Sequence, residues 1–112
     1  MGKVASVKIK SNKEEVTEEL QKKIYAWLEA VGEDAASTAA SVAPVDTGRL
    51  KSSISSAVVE SEQAAYIGTN VEYAPYQEFG TSRGIPAKHF LQFGITAHSD
   101  EYADMLERAL SE

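Results

Sequence analysis

An apolar stripe through Val16, Leu20, Ile24, Trp27, Val31, Ala35, Thr38 and Val42 advances by three or four residues at every step. That spacing is the period of an α-helix with one face in a core. Ser11 and Glu14 stand ahead of it at the S-x-x-E spacing of a capping box. Pro44 ends it, because proline has no N–H to donate and disfavours helix at the residue before it. About 30 residues at 1.5 Å each give a rod roughly 45 Å long. A chain of 112 residues holds one domain with a single core. A rod of that length therefore sets the architecture, and the other elements must be laid against it. Glu18–Lys22 and Glu19–Lys23 are favourable pairs on its solvent side. Tyr25 and Leu28 fall off the main stripe, which marks a second apolar surface, covered by the chain's own sheet or, as the alternative, by a neighbouring subunit.

The rest of the chain supplies the sheet. Lys3–Lys10 alternates Val7 and Ile9 with Lys8 and Lys10, the pattern of a half-buried strand. After Pro44, Thr47–Lys51 suits a helical turn. Ser53–Glu60 and Ala64–Val71 then read as two strands joined by Ser61-Glu62-Gln63, a hairpin. Tyr73–Phe79 fits one helical turn, with Pro75 early and Gly80 as a left-handed stop. Thr81–Lys88, with Gly84 and Pro86, reads as a loop and the most mobile segment. Phe90, Phe93, Ile95, His98, Tyr102, Leu106 and Ala109 resume helical spacing and predict a C-terminal helix, which Gly94 or Ser99 could break or restart. The expected fold class is α+β, with residues 1–112 as one domain. A long N-terminal helix packs on a small antiparallel sheet made of the N-terminal strand and a central hairpin.

Composition removes several functions. The chain has no cysteine, which excludes disulfides, thiol catalysis and thiolate zinc sites. The amino terminus shows no apolar signal region, and no apolar run approaches the ~20 residues that span a bilayer, so no membrane association is expected. The net charge is −6. Basic residues gather in Lys3, Lys8, Lys10 and Lys13. Residues 14–34 carry Glu14, Glu15, Glu18, Glu19, Glu29, Glu33 and Asp34 against Lys22 and Lys23. The last residues carry Asp100, Glu101, Asp104, Glu107 and Glu112 against Arg108. Sustained phosphate contact needs clustered lysine and arginine, so no specific nucleic-acid binding is expected.

The sharpest catalytic motif is Asp46-Thr47-Gly48, the triplet of retropepsin-like aspartic proteases, in which two carboxylates of a dimer share a proton. Its flanks disagree with that chemistry. The protease triplet follows an apolar β-strand, whereas this one follows an Ala-rich helix and Pro44. Arg49 and Lys51 place cations beside a carboxylate that needs a raised pKa. Turn chemistry accounts for the triplet: Asp46 can cap the following turn, and Gly48 can take a conformation closed to other residues. His89 and His98 match no metal pattern. Gly80–Gly84 lacks the spacing and lysine of a phosphate loop. Ser52, Ser53, Ser55 and Ser56 lack a nucleophile elbow. No catalytic residue, metal or cofactor is expected. Tyr66, Tyr73, Tyr76, Phe79, Phe90 and Phe93 can serve as core or as interface anchors.

Three ordered segments carry a resemblance. Ala43-Pro-Val-Asp-Thr-Gly-Arg-Leu50 with Ser53-Ile54 closes the acidic helix. Ile67-Gly-Thr-Asn70 leads to Tyr73-Ala-Pro-Tyr76 and Glu78-Phe-Gly-Thr81. Pro86-Ala-Lys88 precedes Phe90-Leu91. With these the chain resembles the gene-ten-like head–tail joining and tail-completion family of long-tailed phages (minor tail or neck proteins), relatives of the lambda-type minor tail protein Z. It departs in having Phe93-Gly94 where the family often has proline. The resemblance implies a non-enzymatic virion protein of the tail or neck, assembled in the host cytoplasm. Its implied partners are copies of itself in a ring, the tail terminator, the tail tube and head connector proteins; a neighbouring role as terminator or ring-forming adaptor fits the same residues. Pro44, Asp46, Thr47, Gly48 and Arg49 are expected to fix the helix-to-hairpin corner, with Arg49 pairing Glu78. Tyr73, Tyr76, Phe79, Thr81, Ser82, Arg83 and Gly84 are the expected assembly surface.

Overall fold

The rod forms as α1, Glu18–Val42, in the computed structural model, which describes residues 5–10, 17–43, 48–71, 74–80, 84 and 89–111 (backbone alone for 5–10, Tyr76 and Gln77). Its 25 residues span roughly 37 Å at 1.5 Å each, in a molecule whose longest extent is 49 Å. The helix begins later than Ser11. Thr17 is extended (φ −67°, ψ 162°), and its side-chain oxygen accepts the Leu20 N–H at 3.3 Å. Glu18 and Glu19 then occupy the first turn, where the positive end of the helix dipole favours acids. The capping box at Ser11 and Glu14 lies outside the described residues, as does Pro44. The helix ends where proline predicts: Val42 is the last helical residue, and Ala43 is extended.

The buried face of α1 is wider than the stripe. Ile24, Trp27, Val31 and Ala35 are buried as expected, but so are Leu28, Ala36 and Ala39. Leu28, only 1% exposed, is core, covered by the chain itself. The reason is that α1 packs against a sheet on one side and two helices on another, which requires adjacent ridges of the helix rather than one seam. Tyr25 is half-buried, and Val42 at the end of the stripe is exposed.

The sheet has three antiparallel strands in the order β1-β3-β2. They are β1 (Ala5–Lys10), β2 (Ser55–Val59) and β3 (Ala64–Thr69). β1 pairs β3 with Val7 opposite Ile67, and β2 pairs β3 with Ala57 opposite Tyr66. The hairpin turns through a 3-10 segment, Glu60–Glu62, and Gln63 at φ 50°. Between α1 and β2 lies α2, Arg49–Ser53, so Ser53 belongs to a helix rather than to the strand. The turn after the sheet is α3, Ala74–Phe79, stopped by Gly80 at φ 75° as expected. Much of the core is shared by α1 with Leu50, Ala65, Ile67, Phe90, Leu91 and Tyr102.

The C-terminal helix is two helices, α4 (Phe90–Thr96) and α5 (Ser99–Ser111). The chain turns at Ala97–His98, and Gly94 lies inside α4 rather than breaking it. Gly94 is there because α4 crosses α1 at near-contact distance. A Cβ on Gly94 would lie 2.5 Å from the Ala35 carbonyl oxygen and 2.7 Å from the Ala39 Cβ. Only hydrogen fits between those backbones.

Candidate assembly site

The corner after α1 is built on Gly48, which sits at φ 78° and begins α2. A left-handed backbone costs a side-chain-bearing residue energy that glycine avoids. The Gly48 carbonyl accepts the Ser52 N–H at 3.0 Å, and Leu50 drops into the core. Pro44, Asp46 and Thr47 lie outside the described residues. The triplet nevertheless joins one helix to another, α1 to α2, rather than following a strand. Ser53 ties this corner to the sheet: its hydroxyl shares a short hydrogen bond with the buried Thr69 hydroxyl, which also accepts the Val71 N–H at 3.1 Å.

Glu78 organises the other half of the signature. It is 1% exposed, the one buried acid among the described residues. One carboxylate oxygen accepts the Leu91 N–H at 2.7 Å, and the other accepts the Gln92 N–H at 3.3 Å. These are free N–H groups of the first turn of α4, whose own cap residue, His89, supplies no side-chain bond. Glu78 therefore caps a helix from 13 residues upstream. The anion also meets the positive end of the α4 dipole, and the His89 ring nitrogen lies 3.9 Å away. His89 itself adopts φ 49°, and its N–H donates to the Glu78 carbonyl at 3.1 Å. The expected pairing with Arg49 is not among these contacts. Arg49 is exposed at the start of α2.

The aromatic residues divide. Phe90 is wholly buried, and Tyr66 is half-buried with its hydroxyl donating to Glu62 at 2.6 Å. Phe79 is 63% exposed and Phe93 45% exposed. Each follows directly on a member of the Glu78–Gln92 hydrogen bond, so the cap holds together two backbone segments that both present phenyl rings to solvent. Isolated large apolar side chains in water are common; two on neighbouring, rigidly joined segments suit a contact surface. Tyr73, Thr81, Ser82 and Arg83 lie outside the described residues, as does the Tyr76 side chain. Gly84 is exposed at φ 110°.

A second polar cluster had no local signal in the sequence. Asp34 on α1 accepts the Tyr102 hydroxyl at 2.6 Å, and the His98 Nδ1 lies 3.1 Å from the same oxygen. The Trp27 indole N–H donates to the Tyr102 carbonyl at 2.8 Å. The hydroxyl bond from Tyr102 holds the Asp34 carboxyl below its usual pKa against the opposing effect of desolvation, and His98 adds to the lowering. Burial raises the Tyr102 phenol, and the Asp34 carboxylate raises it further. The cluster pins α5 to α1. Among the described residues no group of three or more histidine, cysteine, aspartate or glutamate side chains is placed to hold a metal. No described helix is long and apolar enough to cross a membrane.

Residues 7–80 match the family model described as "HK97-gp10_like: Bacteriophage HK97-gp10, putative tail-component". The match covers more than half of the chain and contains Ala43–Leu50 and Tyr73–Gly80. No curated protein and no solved structure matches the chain.

Proposed function

Because the chain belongs to the HK97-gp10-like family of phage tail components, we propose that it completes the tail and joins it to the head at the neck of a long-tailed phage. The family supports a structural role in the virion and suggests a non-enzymatic one. The finer reading takes residues 1–112 as one tail-completion domain, related to the lambda-type minor tail protein Z. The observation that carries it is the single match spanning both halves of the signature, the Ala43–Leu50 corner and the segment ending at Gly80. In this reading the corner is Pro44, Asp46, Thr47, Gly48, Arg49 and Glu78. The assembly surface is Tyr73, Tyr76, Phe79, Thr81, Ser82, Arg83 and Gly84, with Phe93 added from its exposure.

Copies of the subunit form a ring that meets the tail terminator, the tail tube or the head connector. Exposed acids line α1 (Glu18, Glu19, Glu29, Glu33, Asp34) and α5 (Asp100, Glu101, Asp104, Glu107). Such a surface repels DNA moving through a lumen rather than retaining it. A ring with its acidic helices outward and a basic wall inward would remove that part of the reading.

Electron microscopy of particles made without the protein tests the role. Separate full heads and finished tails are the expected result. Overlong tails would make it a terminator instead. Asp46→Asn particles are expected to assemble and infect normally; loss of a proteolytic cleavage in them would revive the protease.

A further inference from the structure

β2 is an edge strand without the usual defences of an edge. Among the described residues β1 and β2 each pair with β3 alone, so the sheet has two outer sides. β2 reads Ser-Ser-Ala-Val-Val, with no charge and no proline, and Ala57 in its middle is exposed. Natural edges commonly carry lysine, proline or a bulge to stop another strand from pairing. The chain before this edge carries Arg49 and Lys51 on α2, but the chain at its C-terminal end is acidic. β2 runs directly into Glu60 and Glu62. Above it, Gly32 of α1 sits over Ser56 and Ala65, while α4 closes on the Ala35 and Ala39 side of α1. At about 100° per residue, Glu29 and Glu33 lie on the opposite flank of that helix. Both are exposed, on the side of β2 away from β1 and α4. The other edge strand, β1, carries Lys8 and Lys10 in its sequence.

We propose that the outer edge of β2, from Ser56 to Val59, receives β1 of a second copy of this chain, so that the sheet continues from one subunit into the next. The inference rests on the ring reading above and names the surfaces that make the ring. Two observations choose the occupant. The first is charge: Lys8 and Lys10, toward the C-terminal end of one strand, meet the C-terminal end of an uncharged strand where the acids lie. The second is sense and register. Ser6 and Ser55 both face Gly68, and Lys10 and Val59 both face Ala64, so β1 and β2 run parallel and in step. A rotation of the small step that builds a many-membered ring turns a strand by no more than that step, so β1 of the next copy arrives in the parallel sense to β2. In that register its Lys10 stands beside Val59 and Glu60, and its Lys8 beside Ala57. Such a contact joins two different surfaces and closes into a ring when the rotation closes.

The absence of cysteine makes the test clean. The full chain carrying both Lys8→Cys and Ala57→Cys replaces the native protein in particles, which are oxidised and run on a non-reducing gel. Within one chain β3 separates the two positions by about 9.5 Å, too far for a disulfide, whereas adjacent strands about 4.8 Å apart allow one. A ladder of chain multiples that disappears in each single-cysteine variant is expected. Incorporated protein that stays monomeric on the gel overturns the edge contact, as does Ala57→Cys alone giving dimers, which would mean β2 pairing with itself. If particles lack the protein altogether, the tail role fails. Oxidation of the purified chain at high concentration then decides the contact alone, a ladder supporting it and monomers overturning it. Lys10→Glu is expected to abolish the ladder and Glu60→Lys to restore it in the same chain; an unchanged ladder in Lys10→Glu overturns the charge pairing.

Discussion

Replacing Gly94 by alanine sets two effects of known sign against each other. In a helix interior alanine is favoured over glycine by about 1 kcal/mol, so α4 alone would gain. The added Cβ, however, would stand 2.5 Å from the Ala35 carbonyl oxygen, 2.7 Å from the Ala39 Cβ and 3.1 Å from the Ala39 nitrogen. Two of those three atoms are backbone of α1, which cannot rotate away as a side-chain tip would. The helices must separate by most of an ångström, loosening the contacts of Phe90 and Leu91, both fully buried. Overpacking costs about 1–3 kcal/mol, and a clash with backbone that cannot rotate away falls in the upper part of that range, about 2–3 kcal/mol, so it outweighs the helix gain. The expected net loss is about 1–2 kcal/mol, roughly 5–10 °C in Tm for a domain of this size. Urea unfolding followed by circular dichroism measures it. Gly32→Ala is the control, because its Cβ would meet only side-chain atoms, the Ser56 and Ala65 Cβ at 3.3 and 3.4 Å and the Ser56 Oγ at 3.5 Å. That variant is expected to stay within about 0.5 kcal/mol of the parent or to exceed it. A Gly94→Ala protein as stable as the parent would refute the close-crossing argument.

Glu78→Gln removes the anionic cap of α4 and is expected to cost about 1.5–3 kcal/mol in the same urea assay, with Glu78→Ala at least as damaging because two N–H groups lose their partner; a loss below about 0.5 kcal/mol would deny the cap its role. Thr17→Ala should cost about 1 kcal/mol, whereas Ser11→Ala should cost little, which distinguishes the observed helix start from the earlier one. The Asp34 pKa is lower folded than unfolded, so its contribution is present above about pH 4 and is lost as pH falls through the folded value. Tyr102 behaves oppositely: its raised pKa gives stability that is present below about pH 10 and declines as pH rises beyond it. Tyr102→Phe should flatten the alkaline limb of a stability–pH profile, and an unchanged limb would show that another group drives it. Phe79→Ser, at a 63% exposed position, should leave the urea midpoint within error and abolish head–tail joining; normal infectivity would take Phe79 out of the assembly surface.

Much of this fold was legible because its signals are local. The α1 period, the stop at Pro44, the hairpin and the left-handed glycines at positions 48 and 80 each depend on neighbours a few residues away. What the sequence hid depends on distant partners. Leu28 looked peripheral because the width of a helix's buried face is set by how many elements pack on it. Gly94 looked like a helix breaker because its reason lies in Ala35 and Ala39, on another helix. The Asp34 bonds reach His98 and Tyr102 across 64 and 68 residues, and no spacing rule links such positions. Glu78 was singled out by its motif, but its bonds run forward to α4, because a helix start with no cap of its own draws the nearest anion.

The Glu78 cap has a consequence for how this protein tolerates change. The carbonyl of Glu78 takes the His89 N–H while its carboxylate takes those of Leu91 and Gln92, so the segment between begins and ends at one hydrogen-bonded clasp. A segment closed at its base contributes to stability mainly through the entropy of closure, and doubling its length costs only about 0.6 kcal/mol. Peptides inserted between Gly80 and His89 should therefore leave the domain folded. Length and chemistry between those two anchors can change without renegotiating the core.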